Sequence, residues 1–178
     1  MDFRELHKIR IKNEYLRLSE MESGGLFTWE AVKGEPPYVE EYLFHIRVPG
    51  YISPDEHNDE WTVKVRLLGD YPRSHPQVKI VDSKKIFHPN WWIDGRWGGL
   101  AYSSKDSLVD FIMKLLHDMA YDPAYVNCYS SCNYNATKWY LDPSNQHLFP
   151  TIYVDNYVTM LGRDMGFSFI RGKNEKTK

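Results

Sequence analysis

Apolar and polar residues alternate along much of the segment from residue 27 to residue 67. Phe27, Trp29 and Ala31 stand against Thr28, Glu30 and Val32. Tyr42, Phe44, Ile46 and Val48 stand against Leu43, His45 and Arg47, and Trp61, Val63, Val65 and Leu67 against Thr62, Lys64 and Arg66. A period of two predicts strands with one buried and one wet face, the pattern of an antiparallel meander. Gly34 and Pro36-Pro37 separate the first two strands. Pro49-Gly50 ends the clear pattern of the second, and a polar loop, SPDEHND, leads to the third. Gly69-Asp70-Tyr71-Pro72 turns the chain, and a short fourth strand is expected at 77–81, after Pro76.

Helical periods flank this block. Residues 2–20 read as an amphipathic helix with Leu6, Ile9 and Leu16 near one face, and Ser23-Gly24-Gly25 after it. A stronger stripe runs through Leu108, Phe111, Ile112, Leu115, Leu116 and Met119, with Asp122-Pro123 as its stop and Ser103-x-x-Asp106 as its expected capping box. A third helix is expected over 133–141, ended by Asp142-Pro143, and a last one over 153–165. Helix, four-stranded meander, long loop, then helices is an α+β layout.

Composition narrows the classes. The chain has 178 residues, enough for one domain with a large core and no need of a disulfide or metal staple. One domain is expected over 1–172, with a basic tail at 173–178. A net charge of −2 implies no general affinity for nucleic acid. No apolar run approaches the ~20 residues of a membrane span, and the charged N-terminus has no apolar signal core. A cytoplasmic protein is expected. The two cysteines, Cys128 and Cys132, make no disulfide framework and match no common zinc spacing. They read as small buried side chains, and no cofactor or metal site is expected.

The stretch at 87–102, FHPNWWIDGRWGGLAY, obeys neither period. It holds three of the six tryptophans, and its Asp-Gly and Gly-Gly pairs are turn formers. Rings interleaved with glycines suggest a loop packed onto the body of the protein.

With its neighbours, this loop resembles that of the ubiquitin-conjugating enzyme family, the UBC fold. The resemblance rests on Arg10-x-x-x-Glu14-x-x-x-Leu18 in the first helix and on Trp29-Glu30-Ala31-Val32-x-Gly34 in the first strand. It continues in Tyr71-Pro72-x-x-x-Pro76-x-Val78, in His88-Pro89-Asn90 followed by Asp94-Gly95, and in Asp122-Pro123. It covers residues 1–123 in register and fades beyond. It implies a UBC-like α+β fold and a cysteine that carries the C-terminal glycine of a ubiquitin-like protein as a thioester and passes it to an amine. Asn90 is implied as oxyanion donor or loop holder. His88 is implied in the catalytic loop as a shaping residue, with Pro89, Trp91, Trp92, Gly95, Trp97, Gly99 and Tyr102.

The sequence departs from the family at the cysteine, which is absent from residues 1–127. Counting eight residues beyond Asn90 reaches Gly98. The family's apolar flanks around the cysteine fit Leu100-Ala101-Tyr102 instead, which puts Ala101 where sulfur is expected. One reading is a conjugating enzyme whose nucleophile is replaced at residue 101. The other is a natural non-catalytic variant that binds ubiquitin-like proteins or peptides. Ser103 and Ser104 read as a helix cap. The tryptophan-rich loop and divergent C-terminal part resemble bacterial relatives, including those of CBASS antiphage operons. That branch implies a cGAS-like nucleotidyltransferase as the glycine-terminated partner. An activating enzyme is a further implied partner, and no nucleic acid or membrane is.

Overall fold

In the computed structural model, residues 2–21, 23–99 and 102–149 are described. The expected helix at 153–165, the domain's end at 172, the tail at 173–178 and Ala101 itself lie outside them. Helix α1 (Phe3–Glu20) precedes strands β1 (Phe27–Lys33), β2 (Glu41–Ser53), β3 (Glu56–Arg66) and β4 (Gln77–Ile80). Helices α2 (Leu108–Met119) and α3 (Tyr134–Leu141) follow, with 3₁₀ turns at Cys128–Ser130 and Pro143–Leu148. The four strands form one antiparallel sheet in sequence order.

The alternation places Tyr42, Phe44, Ile46, Val48, Trp61, Val63 and Val65 on the buried face. Against that face lies the apolar stripe of α2, in which Leu108, Phe111, Ile112, Leu115, Leu116 and Met119 are all buried, as their spacing predicts. Strands β2 and β3 run further than expected. β2 continues past Pro49-Gly50 to Ser53, and residues 56–59, expected as loop, belong to β3. Backbone pairing across the hairpin, Tyr51 with His57 and Ser53 with Glu56, holds this polar stretch extended without an apolar face.

The helix α1 reverses the expected orientation. Leu6, Ile9 and Leu16 are 48%, 46% and 42% exposed, whereas Ile11, Glu14 and Leu18 are buried. Position 14 decides this. The Glu14 carboxylate is 1% exposed, accepts from the Tyr71 hydroxyl at 2.8 Å and from the Leu108 backbone N–H at 2.8 Å, and pairs with Arg10. One oxygen thus satisfies an unpaired amide at the start of α2, where a negative charge is also favoured by the helix dipole. Arg10 in turn donates to the Asp106 carbonyl. A polar anchor, not the larger apolar residues, sets the rotation of α1.

The start of α2 also differs from expectation. The Ser103 and Asp106 contacts exist, with the Ser103 N–H donating to Asp106 Oδ2 at 3.0 Å, but they close a separate turn. The helix is capped by Ser107 and Asp110, each side chain accepting the other's backbone N–H. At its other end Tyr121 takes a left-handed φ of 58°, a conformation costing about 1–2 kcal/mol for a non-glycine residue. Its hydroxyl donates to the Phe87 carbonyl at 2.7 Å, and its ring packs with Tyr51 and Phe149 in a second apolar cluster.

Replacing Glu14 by Ala removes the acceptor of three donors. Glu14→Ala is expected to cost about 3–5 kcal/mol, the usual loss when one partner of a buried pair is deleted. Leu6→Ala, on the exposed face, is expected to cost under ~0.5 kcal/mol. Urea denaturation of the two variants checks the contrast.

Candidate functional site

The loop after β4 is built around one buried carboxylate. Asp118, near the end of α2, is fully buried, and its Oδ2 accepts from the Trp91 indole N–H at 2.9 Å and the Trp97 indole N–H at 2.8 Å. The two indoles stack with centroids 6.1 Å apart, and residues 91 and 97 pair as an isolated bridge. Between them the chain turns over Gly95, with a φ of 86°. A Cβ there would meet the Ile80 carbonyl oxygen at 2.8 Å, so only glycine fits. The returning strand is stitched to β4: Ile80 N–H donates to the Gly95 carbonyl at 2.8 Å and Trp97 N–H to the Val78 carbonyl at 3.1 Å.

The His-Pro-Asn triplet holds the other side. His88 is sealed from solvent, its ring against Tyr121 at 4.6 Å. Its Nδ1 accepts the Asn90 N–H at 3.0 Å, so the ring is neutral with its proton on Nε2. The Pro89 carbonyl accepts from the N–H groups of Cys132 at 2.8 Å and Asn133 at 3.2 Å. Asn90 uses both ends of its amide. Nδ2 donates to the Asn127 carbonyl at 2.7 Å and Oδ1 accepts the Asn127 N–H at 2.8 Å. The loop is thereby clamped to the segment 127–133, which sequence reasoning had not linked to it.

Cys128 and Cys132 do not share a helical face. Cys128 opens the 3₁₀ turn, and Cys132 precedes the Asn133 cap of α3. Both are half-buried, free thiols rather than enclosed core residues. Cys132 lies against the loop: a Cβ built on Gly98 would stand 1.9 Å from its Sγ. Gly98 also donates its N–H to the Asn90 carbonyl at 2.8 Å. A side chain at 98 and the sulfur of Cys132 would claim the same space. Gly99, with a φ of 73°, has open space around it. Tyr102 donates to the Pro72 carbonyl at 2.9 Å and packs edge-on to Phe111. Trp92 is 44% exposed beside Arg96.

The structure therefore brings Asn90, Pro89, Gly98, Trp91, Trp97 and His88 into one assembly. Trp92 lies on its rim and Ala101 outside the described residues. The pivotal residue missed from the sequence is Asp118. Its signal was available: Phe111, Leu115 and Asp118 follow at i, i+4 and i+7, which sets an acid on the buried stripe. Asn127 carried no such signal, because its contribution is backbone. Among the described residues no group of three or more His, Cys, Asp or Glu side chains could hold a metal ion, and no helix is long and apolar enough to cross a membrane.

Antiparallel meander, flanking helices and a clamped loop ahead of α2 define a UBC-like fold. No protein-family model matches the chain, and no curated protein matches it in sequence. Among solved structures it is similar to Ubc12 of S. cerevisiae, with a TM-score of 0.55 and 22% identity over 74% of this chain and 69% of that one.

Burial sets opposite titrations inside the site. Burial pushes Asp118 up to about 8 from 3.8, against the two indole hydrogen bonds, and holds His88 down to about 3 from 6.5. The raised acid contributes stability that is present below pH 3.8 and lost as pH rises toward 8. The lowered histidine contributes stability present above pH 6.5 and lost as pH falls toward 3. Their slopes cancel between, so the pair predicts a plateau from about pH 4 to 6.5 and a decline from 6.5 to 8. Asp118→Asn keeps an acceptor for the indoles and should flatten that decline. Urea midpoints at pH 6.5 and 8 check this, and an equal decline in both proteins would show that Asp118 is not its source.

Proposed function

We propose that this chain is built as an acyl carrier and transferase of the ubiquitin-conjugating type, with Ala101 standing at the acyl-bearing position. Without sulfur there, the chain keeps the site and lacks its nucleophile. The observation that carries the reading is the clamped loop. Asn90, Gly98 and the two indoles are fixed from three sides within a UBC-like fold. The contact between Gly98 and Cys132 supports residue 101 over residue 98, because the space a side chain at 98 needs is filled.

With a thiol at 101, the thiolate attacks the activated carboxyl of a partner's C-terminal glycine, forming a thioester and expelling the activating group. An amine then attacks the same carbonyl. Its nitrogen forms the amide, its proton departs to solvent, and the thiolate leaves. Asn90 clamps the loop through its carbonyl oxygen and one amide hydrogen. Its second amide hydrogen is the one available to the developing oxyanion. His88 is buried and neutral and shapes the loop instead of moving protons.

The donor in this reading is a ubiquitin-like or other glycine-terminated protein, loaded with the help of an activating enzyme in the cytoplasm. A cGAS-like nucleotidyltransferase in bacterial antiphage defence is the case named by the resemblance. A second reading, a non-catalytic binding module of the same fold, is favoured by one observation. Burial pushes both Cys128 and Cys132 thiols up, so neither is poised as a thiolate.

Ala101→Cys, incubated with a glycine-terminated donor and an activating enzyme, is expected to give an adduct that reducing thiol cleaves, and the unsubstituted chain none. Gly98→Cys is expected to give none. An adduct on the unsubstituted chain that Cys132→Ala abolishes would move the nucleophile to Cys132. No adduct on any of these chains leaves the binding module. In the Ala101→Cys background, Asn90→Ala should slow discharge to amine by about 10²–10³, the usual effect of losing one oxyanion donor. Equal single-turnover discharge rates would restrict Asn90 to its clamping role.

A further inference from the structure

On the solvent face of the sheet, the register sets Lys64 of β3 directly beside Lys79 of β4, and Lys79 beside Arg96 of the returning loop. Three cations thus stand in one row across neighbouring strands, an arrangement that like-charge repulsion disfavours. The next row adds Arg66, opposite Gln77. Two carboxylates offset these four cations. Glu41 lies 3.2 Å from Lys64 Nζ and 3.8 Å from Arg66 Nε, and Asp94 Oδ2 lies 2.7 Å from Arg96 Nε. Lys79 has no ion pair within 4 Å among the described residues. A local positive excess therefore sits on a chain whose net charge is −2.

These side chains line a groove of about 390 Å³ walled by Trp92 and Trp97. A merely solvated face would intersperse the two signs. This one concentrates a single sign beside an exposed indole, next to the loop that ends in Gly98. We propose that the groove docks an acidic, extended peptide segment of a partner protein, with its carboxylates on Lys79 and Arg66 and an apolar side chain on Trp92. A peptide fits better than a nucleic acid. Glu41, inside the groove, would repel a phosphate held beside it, whereas it can accept a peptide N–H. The docking claim stands on the groove alone. That the segment belongs to an acyl donor or acceptor rests on the function proposed above.

The test uses the unsubstituted full chain, so it does not depend on a thiol at 101. A dye-labelled peptide rich in Glu with one Phe is titrated by fluorescence anisotropy at low and physiological salt. A Lys-for-Glu version and a single-stranded oligonucleotide serve as comparisons. The acidic peptide should bind most tightly, and more tightly at low salt. Lys79→Glu should weaken it by about tenfold or more, since charge complementarity is reversed at the unpaired cation. The same substitution breaks the like-charge row, so its Tm should match or exceed that of the unsubstituted chain. Trp92→Ala should weaken binding at both salt concentrations. The proposal is overturned if the acidic peptide binds no better than the basic one, or if Lys79→Glu leaves its affinity unchanged. It is also overturned if Lys79→Glu lowers Tm, or if the oligonucleotide binds more tightly and loses affinity with the same variant.

Discussion

One carboxylate oxygen holds the loop at 87–98 in place. Asp118 Oδ2 receives the indole N–H groups of Trp91 and Trp97, which lie at the two ends of the turn. Those bonds fix the spacing of the turn, and through it the backbone that meets β4 and the position of Gly98. The helix that supplies Asp118 is positioned by Glu14 at its opposite end. Two buried acids, one at each end of α2, therefore tie the sheet, the first helix and the loop to a single rod. Large apolar surfaces supply the cohesion, but they are not directional, and these polar contacts select one arrangement among the ways such surfaces could pack.

The arrangement separates a buried support from an outward face. His88, Asp118 and the Trp91 ring are buried and Trp97 is half-buried, whereas Gly98, Trp92 and Arg96 face outward. Asn90 is buried at 1% exposure, and among the described residues one of its amide hydrogens has no partner.

Periodicity made the sheet and α2 legible, since period-two alternation and a full apolar stripe each leave one solution. It misled at α1, where Leu6, Ile9 and Leu16 form an apolar face that the fold leaves exposed. The residue that decides the helix's rotation is a glutamate, which a hydrophobic pattern scores as outward. The loop was recognisable by its triplet and glycines, but not how it is held. The Asn90 contact is to the backbone of Asn127, and backbone groups have no side-chain signature. Cys128 and Cys132 read from the sequence as small buried side chains, whereas both are half-buried beside the loop. A 3₁₀ turn at Cys128–Ser130 and the pairing of the Cys132 and Asn133 amides with the Pro89 carbonyl hold that stretch against the loop before α3 begins.

The bonds that join Ile80 to Gly95 and Trp97 to Val78 have a further consequence for self-association. A terminal strand with bare N–H and C=O groups is a template for pairing with other molecules and a route to aggregation. Here the returning loop occupies that side of β4, so the groups nearest the site are already satisfied. Among the described residues β1 borders only β2, which leaves its other side as the open edge of the sheet. Strand-to-strand growth, if it starts, starts at β1, across the sheet from the loop. A partner can then crowd the loop at high local concentration without recruiting the sheet into oligomers.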